Sequence, residues 1–190
     1  MNPLFAAALE VQAFCTARRF PFCFIGGVAV QRWGEPRQTD DVDLTLLTGF
    51  GDEERGADAL LGTFRGRLPD TRAFALTNRV VLLESSGGVP IDVSLGAIPF
   101  EERTVERASS FEIGPQTFLT TCCAEDLIVH KAFADRAKDW LDIEGIALRQ
   151  CGTLDETLIF QELRPLLELK GEPEIEGRLR RLLHPPTERP

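Results

Sequence analysis

The chain has 190 residues, of which 43% are hydrophobic and 27% are charged, and this is enough for one sizeable core or for one core with a helical annex. Its formal charge of −9 and its pI near 4.8 argue against a broad basic surface that binds duplex nucleic acid. The start Met-Asn-Pro-Leu-Phe has no basic n-region, and no apolar run is long enough to span a bilayer. We therefore expect a cytoplasmic protein without a membrane anchor.

The first part of the chain predicts helices and strands in alternation. Apolar residues at helical spacing predict the first helix, and a short apolar run that stops at Gly26-Gly27 predicts a buried strand that leads into a second helix. Later apolar runs on either side of Gly87-Gly88 predict a hairpin. The expected elements are helices over 4–19, 28–33 and 52–65, strands over 22–25, 41–46, 79–85 and 89–95, and a further hairpin over about 111–118.

From residue 124 the composition becomes helical. We expect helices over 124–137, 139–151, 154–169 and 174–183, with capping boxes that begin at Asp139 and Thr153. The predicted fold is mixed α/β (α+β). It consists of a mixed-sheet α/β core over 1–120, a helical C-terminal part over 121–184 packed on that core, and a frayed tail over 185–190.

Two aspartates lie one residue apart in the predicted strand that contains Asp41-Val42-Asp43-Leu44. Side chains alternate along a strand, so Asp41 and Asp43 share one face while Val42 and Leu44 enter the core. Adjacent carboxylates repel each other unless a cation lies between them. Because Mg²⁺ is usually held by a few carboxylates and by substrate phosphates, the pattern predicts a metal site that handles a nucleotide.

Gly26 and Gly27 lie where the first strand becomes a helix. Glycine allows a ligand to approach the backbone, and the free N–H groups of a first helical turn suit a phosphate. A glycine pair alone is more often only a turn. Thirteen residues separate Gly27 from Asp41, enough for a helix and a return to the neighbouring strand, so the combination predicts nucleotide binding.

Asp92 is the candidate for a third carboxylate. It lies between Ile91 and Val93 in a predicted strand that is otherwise apolar. A buried charge is costly unless a metal or a partner compensates it, so we expect Asp92 to be a metal ligand. The alternative is an acid on the exposed face of an edge strand.

The combination of apolar-Gly-Gly, Asp-x-Asp and a later Asp resembles the DNA polymerase beta-like nucleotidyltransferase superfamily. Over roughly residues 20–150 the chain further resembles the AbiEii/AbiGii toxin-type proteins, the minimal nucleotidyltransferases of bacterial abortive-infection systems. The resemblance implies a polymerase beta palm-like fold. The residues that carry the narrower resemblance are Arg37, Thr39, Asp41, Val42, Asp43 and Leu44, the run Glu125-Asp126-Leu127-Ile128-Val129-His130-Lys131, and Arg136, Lys138, Asp139 and Asp142.

The resemblance also implies an activity, the transfer of NMP from an NTP to an acceptor hydroxyl with release of pyrophosphate. Asp41, Asp43 and Asp92 would hold two Mg²⁺ (or Mn²⁺) ions, one that activates the acceptor hydroxyl and one that holds the leaving phosphates. Arg37 is a further candidate for nucleotide binding. Thr39 is another, with support of the strand start as its alternative role.

Lys131 lies at helical spacing from Leu127 and Ile128, so it points where apolar residues belong and needs an anion. The triphosphate of an NTP would serve, which makes Lys131 a catalytic and nucleotide-binding candidate. The alternatives are an amine that reaches solvent and a pair with Asp135. We expect Asp139 to cap its helix rather than to catalyse.

The acceptor and the partners are less defined by the sequence. The toxin resemblance suggests an RNA acceptor, in particular a tRNA end, or a protein hydroxyl, together with a cognate antitoxin. The acidic charge argues against a large RNA footprint, and a small molecule is a further option. Two other hypotheses are a non-catalytic nucleotide-binding or toxin–antitoxin partner protein on the same fold, and an accidental Asp-x-Asp, which predicts that Asp92 lies far from Asp41.

Overall fold

The computed structural model describes residues 2–184, so the predicted tail over 185–190 lies outside the described residues. The described chain divides into two units, residues 2–28 with 37–122 and residues 29–36 with 123–184. The second unit thus includes a segment from the first part of the chain. The division into domains at residue 120 stays a prediction. No helix within residues 2–184 is both long and apolar enough to cross a membrane.

A mixed sheet forms the centre of the first unit, as the sequence predicts. Its strands are β1 (Phe22–Phe24), β2 (Val42–Leu47), β3 (Arg65–Gly66), β4 (Val80–Glu84), β5 (Pro90–Gly96), β6 (Ser109–Gly114) and β7 (Thr117–Thr121). Their order across the sheet is β3-β4-β5-β2-β1-β7-β6. Strand β2 is parallel to β5 and β1 is parallel to β7, whereas the other neighbouring strands are antiparallel.

The core of the first unit follows from the alternation along its strands. Val42 and Leu44 of β2 and Ile91 and Val93 of β5 are fully buried, as the sequence predicts for Val42 and Leu44. These side chains form one hydrophobic cluster with residues of four helices. The helices that contribute to the cluster are α1 (Pro3–Arg18), α2 (Gly26–Trp33) through Val28, α3 (Glu53–Leu61) and α4 (Thr71–Asn78).

Three elements of the first unit were not predicted: β3, α4 and α5 (Pro99–Glu106). The predicted helix over 52–65 instead ends at Leu61, where Gly62 occupies the C-cap position. The chain then turns and Arg65–Gly66 pairs with β4. Helix α2 (Gly26–Trp33) begins at Gly26, two residues earlier than predicted.

The second unit contains four further helices close to the predicted ranges. They are α6 (Ala124–Ala134), α7 (Ala137–Arg149), α8 (Glu156–Lys170) and α9 (Glu174–Leu183). Both predicted capping boxes are wrong. Asp155, not Thr153, caps α8, because its side chain accepts a 3.0 Å hydrogen bond from the Leu158 N–H. Helix α7 has Arg136 at its cap position, so Asp139 lies inside the first turn and makes ion pairs there instead.

The segment 29–36 is held by the end of α7 within this unit. Arg149 donates a hydrogen bond to the carbonyl of Gly34, and Gln150 Nε2 donates to the carbonyl of Trp33 over 3.1 Å. Gly145 allows a close approach, since a Cβ at that position would stand 3.0 Å from the backbone nitrogen of Glu35. These contacts explain why the segment belongs with the later helices rather than with the sheet.

Candidate active site

The strand register places two of the predicted carboxylates side by side. Asp43 of β2 is the direct partner of Asp92 in the parallel strand β5. Neighbouring strands lie roughly 4.8 Å apart, and residues opposite each other face the same side of a sheet. Both aspartates are half-buried. The geometry therefore agrees with the hypothesis that carboxylates on two strands lie close together. The alternative placed Asp92 on an edge strand, whereas β5 lies in the interior of the sheet.

Asp41 lies one residue before β2 and is oriented by Thr39. The Thr39 hydroxyl donates a 2.9 Å hydrogen bond to Asp41 Oδ1. This bond fixes the carboxylate at the start of the strand, in line with the supporting role considered for Thr39. Asp40, the acidic neighbour, accepts a bond from the Gln38 side chain in an exposed position.

The glycine pair makes room for these side chains. Gly26 has φ +55°, and a Cβ there would stand 2.0 Å from Asp43 Oδ2. A Cβ on Gly27 would stand 2.3 Å from the Thr39 hydroxyl oxygen. Both distances are shorter than any ordinary contact, so only glycine allows helix α2 to begin against Asp43 and Thr39. The binding of phosphate by Gly26 and Gly27 stays a prediction.

Arg67 is a site residue that the sequence analysis missed. Its guanidinium donates to Asp92 Oδ1 in an ion pair. Burial raises the pKa of Asp92, the Arg67 guanidinium opposes that increase, and the nearby Asp41 carboxylate adds to it. The influence of Asp41 means that Asp92 lies within electrostatic reach of Asp41, contrary to what an accidental Asp-x-Asp predicts.

The signal that would have located Arg67 lies in the alternation Arg65-Gly66-Arg67 after Gly62. The predicted helix over 52–65 takes in Arg65, and no element is predicted for Gly66 and Arg67. Arg65 and Gly66 pair with β4, so Arg67 follows β3 at the edge of the sheet. The backbone N–H of Arg67 donates to the carbonyl of Leu82 over 3.0 Å. The direct partner of Leu82 on β5 is Asp92, so the strand order brings the arginine to the site.

The donor set of Asp41, Asp43 and Asp92 fits a hard divalent cation. The carboxylate oxygens are the ligands that Mg²⁺ and Mn²⁺ prefer, and a cationic group already pairs with Asp92. Within residues 2–184, no group of three or more His, Cys, Asp or Glu side chains converges closely enough to hold a metal ion as it stands.

Arg37 lies in the connection between α2 and β2. Its guanidinium donates a 3.1 Å hydrogen bond to the carbonyl of Gln38 in an exposed position. Nucleotide binding by Arg37 stays a prediction.

Lys131 is buried in the second unit, where it faces inward as the helical spacing predicts. Its Nζ lies 3.2 Å from Asp139 Oδ1 and 2.7 Å from Asp142 Oδ2. Arg136 also pairs with Asp139, over 2.6 Å. The alternative pair with Asp135 is wrong. The anions around Lys131 are therefore protein carboxylates, and its role toward a nucleotide stays a prediction.

The environment of Asp139 corrects its predicted role as a helix cap. The residue lies in the first turn of α7 with a fully buried side chain. Burial raises the pKa of Asp139, but its hydrogen bonds and ion pairs with Arg136 and Lys131 outweigh burial and leave the pKa below its usual value. Asp139 thus stays ionised in an ion cluster with the buried Lys131 and Asp142 and with the exposed Arg136.

The fold is similar to that of two solved structures. The crystal structure of an antigenic nucleotidyltransferase-like protein from Paracoccidioides brasiliensis matches with a TM-score of 0.55 and 15% identity, over 93% of this chain and 91% of that chain. The solution structure of the antibiotic-resistance factor ANT(2'')-Ia matches with a TM-score of 0.53 and 17% identity, over 91% and 96%. No protein-family model and no curated protein sequence matches the chain. At these identities the likeness shows a nucleotidyltransferase-like fold.

Proposed function

We propose that this protein is a metal-dependent nucleotidyltransferase that transfers NMP from an NTP to an acceptor hydroxyl. The acceptor oxygen would form a new bond to the α-phosphorus while the bond from that phosphorus to the oxygen bridging to the β-phosphorus breaks. The hydroxyl proton is released and the β- and γ-phosphates leave as pyrophosphate. The observation that carries the proposal is the pairing of Asp43 with Asp92 on neighbouring strands, with Asp41 one residue before β2.

Asp41, Asp43 and Asp92 would hold Mg²⁺ or Mn²⁺. When bound, the metal neutralises phosphate charge and makes the acceptor hydroxyl more acidic. The chain itself fixes the ligands: Thr39 orients Asp41, and the strand pairing holds Asp43 beside Asp92. Because phosphoryl transfer depends mostly on positioning and on charge neutralisation, a site of fixed carboxylates is sufficient for its main demands.

The nucleotide would be held by the start of α2 and by basic side chains. Gly26 and Gly27 place a helix N-terminus beside Asp43, where backbone N–H groups suit an anion. Arg37 and Lys131 are the basic residues that the resemblance points to. Lys131 would have to exchange at least one of its carboxylate partners for a phosphate, since both pairs are within 3.2 Å.

The acceptor belongs to one of three classes: a tRNA or other RNA end, a protein hydroxyl, or a small molecule. The toxin-type resemblance favours the first two classes and a cognate antitoxin. The net charge of −9 favours a small cationic acceptor. Each class predicts a different labelled product, so one assay assigns it.

The test is the transfer of label from each α-³²P-labelled NTP in the presence of Mg²⁺ or Mn²⁺. Total tRNA, a cell lysate and a panel of aminoglycosides are offered separately. We expect label on one pool, lost in Asp43→Asn and kept in Asp52→Asn, which removes an exposed aspartate away from β2 and β5. Binding of NTP without transfer to any pool would instead support a non-catalytic nucleotide-binding protein.

A further inference from the structure

The ion pair between Arg67 and Asp92 spans the width of a strand. Arg65 pairs with Glu84, its direct partner across β3 and β4. The backbone of Arg67 is instead bonded to Leu82, an apolar residue, and the guanidinium passes over β4 to reach Asp92 on β5. Arg67 is therefore directed at the candidate site rather than at the nearest strand.

The backbone that carries Arg67 is fixed, whereas its side chain is not enclosed. The Thr71 hydroxyl accepts from the Leu68 N–H and donates to the Leu68 carbonyl, both over 3.0 Å. Thr71 is buried, and a Cβ on Gly66 would stand 2.4 Å from the Thr71 hydroxyl oxygen. The side chains of Arg67 and Asp92 are 29% and 32% exposed. The contact between the guanidinium and Asp92 is therefore partly open to solvent.

We propose that Arg67 is the resident counter-cation of Asp92 and that a divalent metal must displace it to bind. This inference rests on the proposed function, because it takes Asp92 as a metal ligand. Two cations cannot share one carboxylate oxygen without mutual repulsion, so Arg67 and the metal compete. Arg67 is then a positioning residue that holds the Asp92 carboxylate in place before the metal arrives, and it sets the metal affinity of the site.

If Arg67 competes with the metal, removal of Arg67 should increase the metal affinity, whereas removal of a merely structural ion pair should not. Loss of Arg67 frees the Asp92 carboxylate and removes a nearby positive charge, so the metal binds more tightly. If the role of Arg67 were purely structural, its removal would misplace Asp92 and weaken metal binding. Arg65 offers a matched control, since it has the same charge, lies two residues away and pairs with Glu84 instead of Asp92.

The test is the dissociation constant of Mn²⁺ for the full chain, measured by electron paramagnetic resonance of free Mn²⁺ at about 0.15 M salt, which screens long-range charge effects. We expect Arg67→Gln to tighten Mn²⁺ binding about two- to fivefold, the range for a partly exposed ion pair, and Arg65→Gln to leave it unchanged. In an Asp92→Asn background, Arg67→Gln should have no effect on the dissociation constant.

Three results would overturn the proposal. The first is unchanged or weaker Mn²⁺ binding by Arg67→Gln, and the second is an equal increase in Mn²⁺ affinity in Arg65→Gln. The third is an increase in Mn²⁺ affinity on Arg67→Gln that persists in the Asp92→Asn background. Urea unfolding of the same proteins checks that the variants are folded. The labelling assay on the same preparations separates the two claims. Label transfer with no effect of Arg67→Gln would reject the competition alone, whereas absence of both Mn²⁺ binding and label transfer would reject the proposed function as well.

Discussion

The backbone of Gly26 lies directly against the carboxylate of Asp43. A Cβ on Gly26 would stand 2.0 Å from Asp43 Oδ2 and 2.6 Å from its Cγ. The adjacent Ile25 N–H donates to the carbonyl of Asp43 over 3.0 Å, so the first strand, the start of α2 and the Asp43 side chain form one rigid junction. The glycine is thus required by a contact within the protein, independently of any ligand.

Gly26→Ala should therefore destabilise the protein by more than backbone strain alone. A non-glycine residue in the left-handed region costs about 1–2 kcal/mol, and the contact with Asp43 adds to that cost. We expect a decrease of about 2–4 kcal/mol in the free energy of unfolding, measured in urea. Gly49→Ala is the control, because Gly49 has φ +69° but a Cβ there would meet no atom within 4 Å. Equal losses in the two variants would show that the contact with Asp43 has no energetic weight.

Thr39→Val should reduce turnover with little effect on stability. The substitution keeps the shape of the side chain and removes the hydrogen bond to Asp41. A bond to a charged group is worth about 1.5–3 kcal/mol when desolvated, so at this half-buried position we expect a roughly tenfold lower kcat. Thr39→Ser keeps the hydroxyl and should retain most of the activity. Equal kcat values for the valine and wild-type proteins would contradict the orienting role.

Thr45→Val should stabilise the protein. Thr45 lies two residues after Asp43 in β2 and is fully buried, and its hydroxyl oxygen has no hydrogen-bond partner within the described residues. An unsatisfied buried hydroxyl costs about 1–3 kcal/mol, so its replacement by a methyl group should raise the free energy of unfolding by about 1 kcal/mol. A loss of stability in the valine variant would mean that the hydroxyl has a partner in solution.

The ion cluster around Asp139 should make stability depend on pH. Its pKa is lowered in the folded protein, so its stabilising effect is present above the unfolded pKa of about 3.9 and is lost as pH falls through the lower folded value. Asp139→Asn should cost about 3 kcal/mol at neutral pH, because Lys131 loses one of its two partners.

The check is urea unfolding of wild-type protein and Asp139→Asn over a range of pH. The difference between their free energies of unfolding should be constant near neutral pH and should narrow below about pH 4, because asparagine does not titrate. Asp52→Asn, at an exposed position, corrects for the change in net charge. A difference that stays constant into the acid range would show that the carboxylate of Asp139 is not held by its cationic partners.

Local patterns in the sequence were enough to predict much of the fold and part of the site. The alternation in Val42-Asp43-Leu44 indicated both the buried face of β2 and the opposite side that carries its carboxylates. Helix α5 was missed although Pro99 and Glu101 are signals for a helix start. The Glu101 carboxylate accepts from the Ala97 and Ile98 N–H groups over 2.8 and 3.1 Å.

The remaining features depend on contacts between distant parts of the chain. The ion pair of Arg67 with Asp92 requires the order of three strands, which no local pattern specifies. The cluster around Lys131 requires that α7 turn its first residues toward α6, and the capping pattern at Asp139 suggested a different local role. Short-range propensity cannot rank such competing uses of one aspartate, because tertiary packing decides between them.

The decisive experiment compares α-³²P- with γ-³²P-labelled NTP in the wild-type protein and in Asp92→Asn, with Mn²⁺ and the acceptor pools present. For a nucleotidyltransferase we expect the α-label to become attached to one acceptor and the γ-label to appear only in pyrophosphate, with both products lost in Asp92→Asn. Transfer of the γ-label to an acceptor, or unchanged α-label transfer in Asp92→Asn, would contradict a nucleotidyltransferase site built on Asp41, Asp43 and Asp92.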